Sequence, residues 1–207
     1  MVGAAGRFAG AVVPELVKRG ARVRALVRDG ARAEVARRRG ARETVVADLA
    51  DPATLPGAVH GVDGVFHIGP AFHPREAELG VAMVAAAREA GVGRFVFSGV
   101  IHPSISAMVN HAAKQPVEEA LYTSGMAFTV LQPAMYLQGL DTLWPEVVVH
   151  SRLTLPYSVT AKVCWVDYRD VAEVAARALT RDDLAYGTFE LSAPGLVDRV
   201  EMAAIIG

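Results

Sequence analysis

The chain has 207 residues, of which 52% are hydrophobic and 21% charged, and its formal net charge is −1. That length and composition suit one domain with a substantial core. The near-neutral balance argues against general binding to nucleic acid or to a membrane surface. A lone cysteine, Cys164, excludes an intrachain disulfide, and no apolar run is long enough to span a bilayer. A cytoplasmic protein is the expectation.

The chain opens with Gly3-Ala4-Ala5-Gly6-Arg7-Phe8-Ala9-Gly10. This reads as a glycine-rich turn, followed by a helix from about Gly10 to Arg19 and a short apolar strand, Val23 to Val27. Glycines let a backbone turn tightly and approach a pyrophosphate, and the free N–H groups of a helix start favour that anion. A glycine pattern alone is weak, but a helix and a strand behind it are the context the motif requires. Pro14 is tolerated only in a first turn, which places the helix start near Gly10. The motif should also follow a strand of about 5–6 residues, and only Met1 and Val2 precede Gly3. In a doubly wound sheet that strand is central. Its loss would leave neighbouring backbone groups unpaired, so truncation at the amino end is expected.

From Arg19 to Arg42 the chain carries nine arginines. Most read as a solvated helix face and turns, since aromatics are absent and acids elsewhere balance the charge. Arg28 differs because it ends the second strand, beside the pocket for an adenosine ribose. An acidic residue there would accept a hydrogen bond from a 2′-hydroxyl, whereas an arginine can hold a 2′-phosphate. Arg28, helped by Arg32, favours NADP(H) over NAD(H). Asp29 complicates this, because a shift of one residue would reverse the preference.

Further apolar runs read as strands at Thr44–Ala47, Gly64–Ile68, Arg94–Ser98, Ala127–Leu131, Lys162–Val166 and Thr188–Leu191. They are continuous rather than alternating, as in a parallel sheet covered on both faces. Helical stretches lie between them, the clearest from Glu76 to Ala90 with Gly91 placed to end it. Pro116 puts another helix start just before Val117. The alternation marks a single α/β domain over residues 1–207, a doubly wound parallel sheet with a small C-terminal substrate region. Asp48, after a strand, can accept a hydrogen bond from an adenine amino group or cap the turn before Pro52. Gly69 and Pro70 make a tight exit from their strand past the cofactor's ribose-phosphate. His67 reads as a satisfied core or surface histidine, and Cys164 as a small buried apolar residue. Asp167 reads as the N-cap of a helix ending near Leu179, with Asp170 favoured in its first turn. Tyr136 to Ser158 has little periodicity and reads as a cover over the nicotinamide side. A last helix spans Asp198 to Ile206.

Gly3-Ala4-Ala5-Gly6, Val27-Arg28-Asp29, Ala47-Asp48-Leu49, Gly61-Val62-Asp63, Arg94 to Ser98, Lys114 with Val117-Glu118-Glu119, Leu131-Gln132-Pro133-Ala134 and Val166 to Ala172 occur in this order. Together they resemble the NmrA-like branch of the atypical short-chain dehydrogenase/reductases. The resemblance implies a Rossmann-like domain holding a dinucleotide through Gly3, Gly6, Arg7, Phe8, Arg28, Asp48, Leu49, Ile68, Gly69, Lys114 and Pro133. It implies either an NAD(P)H-dependent reductase of a small acceptor or a non-catalytic redox sensor acting through a protein partner. It also implies a longer chain, with part of the substrate region beyond Gly207.

Catalytic members of the wider superfamily use a tyrosine four residues before a lysine, with a serine nearby. Lys114 matches the lysine, but Asn110 stands in the tyrosine's place, and none of the five tyrosines has a lysine four positions on. Lys114 is left with the nicotinamide ribose as its implied ligand. Other candidates for the proton are weak. His111 has a suitable ordinary pKa but projects about 100° away from Asn110 on a helix. Tyr136 lies near where the nicotinamide should end, and Ser98 is a lone serine at a strand end. A flavin, quinone or azo acceptor would need no protein acid, because water can protonate it.

Overall fold

The computed structural model describes residues 1–207. Its strands are β1 (Arg24–Val27), β2 (Glu43–Val46), β3 (Gly64–Ile68), β4 (Arg94–Ser98), β5 (Ala127–Pro133), β6 (Met135–Tyr136), β7 (Trp165–Val166) and β8 (Gly187–Leu191). Its helices are α1 (Val12–Lys18), α2 (Gly30–Arg38), α3 (Leu55–Val59), α4 (Glu76–Glu89), α5 (Val109–Ala112), α6 (Gln115–Tyr122), α7 (Trp144–His150), α8 (Tyr168–Thr180) and α9 (Arg199–Ile206).

All strand pairings are parallel, as the continuous apolar runs predict. β1 pairs with β2, and a second sheet runs β3-β4-β5-β8. Met1 and Val2 lie between the two sheets. The Met1 amino group donates to the Arg24 carbonyl at 2.7 Å. The Met1 carbonyl accepts from Leu26 N–H at 3.0 Å, and Val2 N–H donates to the Phe66 carbonyl at 2.9 Å. Two residues thus take the central place expected of a strand before Gly3, and the spatial order becomes β2-β1-(Met1-Val2)-β3-β4-β5-β8.

Helices cover both faces. On one, α1, α2 and α8 bury Val12, Val13, Leu16, Ala33 and Ala36 against β1 and β4. α8 supplies Val171, Ala172, Ala175 and Ala176, all fully buried, on the stripe that a 3.6-residue period aligns. On the other face, α3, α4 and α6 pack Leu55, Met83, Val84, Val117 and Leu121 against β3 and β4. Here a side chain at Gly80 would meet Val117 Cγ2 at 2.4 Å, so glycine sets how closely α4 and α6 approach. A small third cluster, Leu155, Trp165 and Met202, holds the C-terminal region.

Two expectations need correction. The run Lys162–Val166 yields only β7, which pairs with β6 apart from the main sheet, while Val163 bridges to Val197. β2 begins and ends one residue earlier than Thr44–Ala47 and is an edge strand, with Val46 67% exposed. The stretch after Tyr136, for all its weak periodicity, forms a 3-10 turn, Leu137–Thr142, and then α7, and residues 151–158 lack helix or strand. Pro145 sits in the first turn of α7, where a proline costs no hydrogen bond.

Candidate functional site

Parallel strands put all their carboxyl ends on one edge, where ligands bind in open α/β sheets. That edge carries the glycine turn, Arg28 after β1, Asp48 and Leu49 after β2, Ile68 and Gly69 at the end of β3, Ser98 at the end of β4, and Gln132 and Pro133 at the end of β5. A cavity of about 560 Å³ lies at the opposite edge, lined by Met1, Arg24, Glu43 and Asp63. It lies at the strands' amino ends, away from the glycine turn.

The turn needs its glycines for different reasons. Gly3 has φ +75°, and a Cβ there would stand 2.9 Å from Ala9 Cβ and 3.0 Å from Ile68 Cγ2. A Cβ on Gly6 would meet the Gly3 carbonyl at 3.0 Å. A Cβ on Gly10 would fall 1.6 Å from Arg39 Nη1. Arg39 reaches under the turn from the end of α2, donating to the carbonyls of Ala4 at 2.8 Å and Gly6 at 2.6 Å. The N–H groups of Ala5, Arg7 and Phe8 donate to no acceptor in the chain.

Arg28 is exposed and forms no ion pair. Asp29 is committed elsewhere, since its carboxylate caps α2 by accepting from Arg32 N–H at 2.8 Å. Asp48 accepts from Ala50 N–H at 3.0 Å, so its capping role is realised. Arg7 turns away from the glycines and ties down the Leu137–Thr142 turn through the Gln138 carbonyl and the Asp141 carboxylate. Gln138 in turn donates to Asp167 at 2.6 Å and accepts from Tyr168 N–H at 2.9 Å. Asp167 caps α8 as expected, and the Arg169 guanidinium beside it holds its carboxyl far below the usual range.

Lys114 is 4% exposed and Glu76 2%. The Lys114 ammonium donates to Glu76 and to Asn110 Oδ1 at 3.1 Å and O at 3.2 Å. Glu76 packs over Gly69, where a Cβ would stand 2.7 Å from its Oε1, and its other oxygen accepts from Phe72 N–H at 3.1 Å. The lysine matched to the nicotinamide ribose therefore lies at the carboxyl edge with its donors engaged by protein. His111 is half-buried beside the His102 carbonyl, 3.1 Å from its Nδ1.

Tyr136 joins an aromatic group with Phe8 (ring centroids 4.8 Å apart) and Tyr168 (4.8 Å, edge-on). Burial pushes the Tyr136 hydroxyl up to about 12 and raises that of Tyr168 further. The fully buried Ser98 hydroxyl lies close to both, without good hydrogen-bond geometry to either. His67, expected to be satisfied, is not. It is fully buried, stacked on Phe97 at 5.8 Å, and neither ring nitrogen has a partner. Burial, with Lys114 as a further cause, lowers its pKa to about 3. A second buried carboxylate, Glu118, accepts from both Gln132 (3.0 and 3.1 Å) and Tyr122 (3.2 Å), and burial raises its pKa.

Sequence reasoning missed Arg39, Glu76, Glu118 and Tyr168. Each sits among residues of ordinary helical pattern, and only the fold brings it to the strand ends. The one available signal was acidic residues, Glu76 and Glu118, on otherwise apolar helix faces.

A parallel α/β sheet with a glycine turn and an uncommitted arginine at its carboxyl edge defines a Rossmann-like α/β protein. The NmrA-like family profile matches residues 1–204, and the chain belongs to that family. It is 33% identical over 169 residues to the NAD(P)H azoreductase of Xenophilus azovorans, covering 79% of this chain and 57% of that protein. It is 28% identical over 148 residues to the photosystem II assembly factor Ycf39 of Guillardia theta, covering 67% of this chain and 46% of that one. The chain thus spans about half the length of the curated relatives it matches. Among solved structures it is similar to the Citrobacter sp. triphenylmethane reductase complexed with NADP(H), at TM-score 0.88 and 25% identity, covering 99% of this chain and 73% of that one. It also resembles in fold the Escherichia coli NADPH-dependent quinone oxidoreductase complexed with NADPH, at TM-score 0.87 and 23% identity, covering 98% and 72%. No helix is long and apolar enough to cross a membrane.

Proposed function

We propose that the chain binds NADP(H) at the carboxyl edge of its sheet and, as part of a whole protein, reduces a small acceptor. The observation that carries this reading is the glycine turn itself, whose Ala5, Arg7 and Phe8 amides have no acceptor in the chain while its side-chain-free face admits close approach. Such a surface fits a pyrophosphate. Gly3, Gly6 and the backbone of Arg7 and Phe8 hold the diphosphate, and Arg28 faces the adenosine 2′-phosphate. Asp48 and Leu49 flank the adenine, Ile68 and Gly69 border the riboses, and Pro133 closes the nicotinamide end. In this reading Lys114 acts through Glu76, fixing the Gly69–Phe72 exit from β3 beside the ribose.

The bound dinucleotide supplies a hydride. The chain's own residues orient it and exclude water, and Tyr136, protonated throughout the neutral range, offers a hydroxyl to the acceptor or its bound water. No residue is assigned as a strong general acid. The azoreductase and the quinone and triphenylmethane reductases among the relatives favour conjugated acceptors, which need no protein acid. They favour a reductase over a sensor that works through a protein partner, a reading that rests on Asn110 alone. The reducing cytoplasm, where the reduced dinucleotide is available, is the compartment this reading assigns.

Titration with NADPH and NADH, followed by steady-state NADPH oxidation with quinones and azo and triphenylmethane dyes, tests it. The expected result is preferential NADPH binding and turnover above about 0.1 per second, against typical enzyme values of 1 or more. Binding without turnover of any acceptor by the chain, or by a longer version of it, would return the sensor reading.

A further inference from the structure

Arg39 is the feature of the site that neither the motif nor the proposed function uses. It leaves the end of α2, crosses beneath the glycine turn, and donates to the carbonyls of Ala4 (2.8 Å) and Gly6 (2.6 Å). Both donations come from Nη1, which occupies the space a side chain on Gly10 would fill; the three nearest atoms to such a Cβ all belong to Arg39. Arg39 forms no ion pair, so its charge stands uncompensated under the turn.

Every peptide bond in the chain is trans, and in a trans peptide the C=O and N–H point in opposite directions. Drawing the Ala4 and Gly6 carbonyls down towards Arg39 aims the N–H groups of Ala5 and Arg7 away from it. Both are among the turn's amides without an acceptor in the chain. The guanidinium also places a positive charge behind the same amides, where burial lessens screening. We infer that Arg39 is a positioning residue for a diphosphate: it sets the orientation of the turn's amides and adds its charge behind them, and Gly10 exists to admit it. This rests on the dinucleotide reading above and goes beyond it, because it assigns diphosphate affinity to a residue outside the glycine motif.

The test is calorimetric titration of the wild-type chain and of Arg39→Ala, Arg39→Lys, Gly10→Ala and the Gly10→Ala/Arg39→Ala double variant. The ligands are NADPH, NADH and adenosine 2′-monophosphate, which lacks the diphosphate. Arg39→Ala should weaken NADPH and NADH alike by roughly tenfold, leave adenosine 2′-monophosphate within about twofold, and raise KM for NADPH rather than lower kcat. Arg39→Lys should recover part of the loss. Gly10→Ala, which keeps the charge but expels it, should reproduce the loss, and adding Gly10→Ala to Arg39→Ala should cost nothing more, as coupled sites require. Unchanged NADPH binding by Arg39→Ala, or an equal loss for adenosine 2′-monophosphate, overturns the inference while leaving the cofactor reading intact. A wild-type chain that binds neither dinucleotide overturns both.

Discussion

The Lys114 ammonium is buried against the Glu76 carboxylate, and the second Glu76 oxygen holds the Phe72 amide at 3.1 Å. A helix start, a helix N-terminus and a strand exit are thereby fixed to one another through one pair of charges. Phe72 shows the consequence for the backbone. It has φ +64° and a side chain 77% exposed, a conformation that costs about 1–3 kcal/mol in a bulky residue and persists only where the surroundings impose it.

Removing one member of this pair leaves an uncompensated charge in the interior. Lys114→Met should lower the unfolding free energy by about 3–5 kcal/mol, whereas Lys114→Met/Glu76→Gln should regain most of it, since replacing both charges is far less costly than orphaning one. Urea denaturation followed through fluorescence of the two tryptophans, Trp144 and Trp165, measures both. A Lys114→Met loss under about 1 kcal/mol would mean the pair is solvated rather than buried.

His67 gives the stability a pH dependence of known sign. Its folded pKa is lowered to about 3 from an ordinary 6.5, so the unfolded chain binds more protons between those values and stability falls as the pH drops through that window. The slope from this one group approaches about 1.4 kcal/mol per pH unit. His67→Leu should make the fall of the urea midpoint between about pH 7 and 5 shallower. An unchanged slope would assign the acid sensitivity to other groups.

The strands were legible because parallel-sheet strands buried on both faces read as unbroken apolar runs, and β3 and β4 were bounded to the residue. β7 was overread because Val163 and Cys164 continue its apolar pattern while the backbone has already left for Val197. At the site, the glycines were legible because their requirement is local. Lys114 is engaged by Glu76, which lies 38 residues away, and no local pattern records such a pairing. His67 defeated the reading for a related reason. Satisfaction of a ring nitrogen depends on what packs around it, and that is decided by Phe95, Phe97 and Lys114, all distant in sequence.

Arg28 and Asp29, one residue apart, divide the labour at the end of β1. Asp29 is spent on the α2 N-terminus, whereas Arg28 is exposed and unpaired. Arg28→Ala should weaken NADPH about tenfold and NADH less than twofold, because only the former carries the group a guanidinium would grip. Asp29→Ala should cost about 1 kcal/mol of stability through the lost cap and leave the NADPH-to-NADH preference unchanged. Paired titrations and a denaturation curve on each variant check this, and a preference that followed Asp29 instead would reverse the assignment.

Tyr136 separates proton donation from positioning. Its hydroxyl, pushed up to about 12 by burial, stays protonated at neutral pH, so it can donate a hydrogen bond but cannot serve as a base there. In the proposed reduction of a quinone or azo acceptor the proton would come from water and the hydroxyl would have only to orient the acceptor. Tyr136→Phe should then lower kcat less than tenfold and leave its pH profile flat between about pH 6 and 9, while the ring keeps its contacts with Phe8 and Tyr168. Loss of a general acid would cost about 10²–10⁴ instead. Steady-state rates of the two proteins across that pH range, with a quinone and with an aldehyde, decide between them. A hundredfold loss with both acceptors would make Tyr136 the missing acid, in place of the tyrosine that Asn110 replaces.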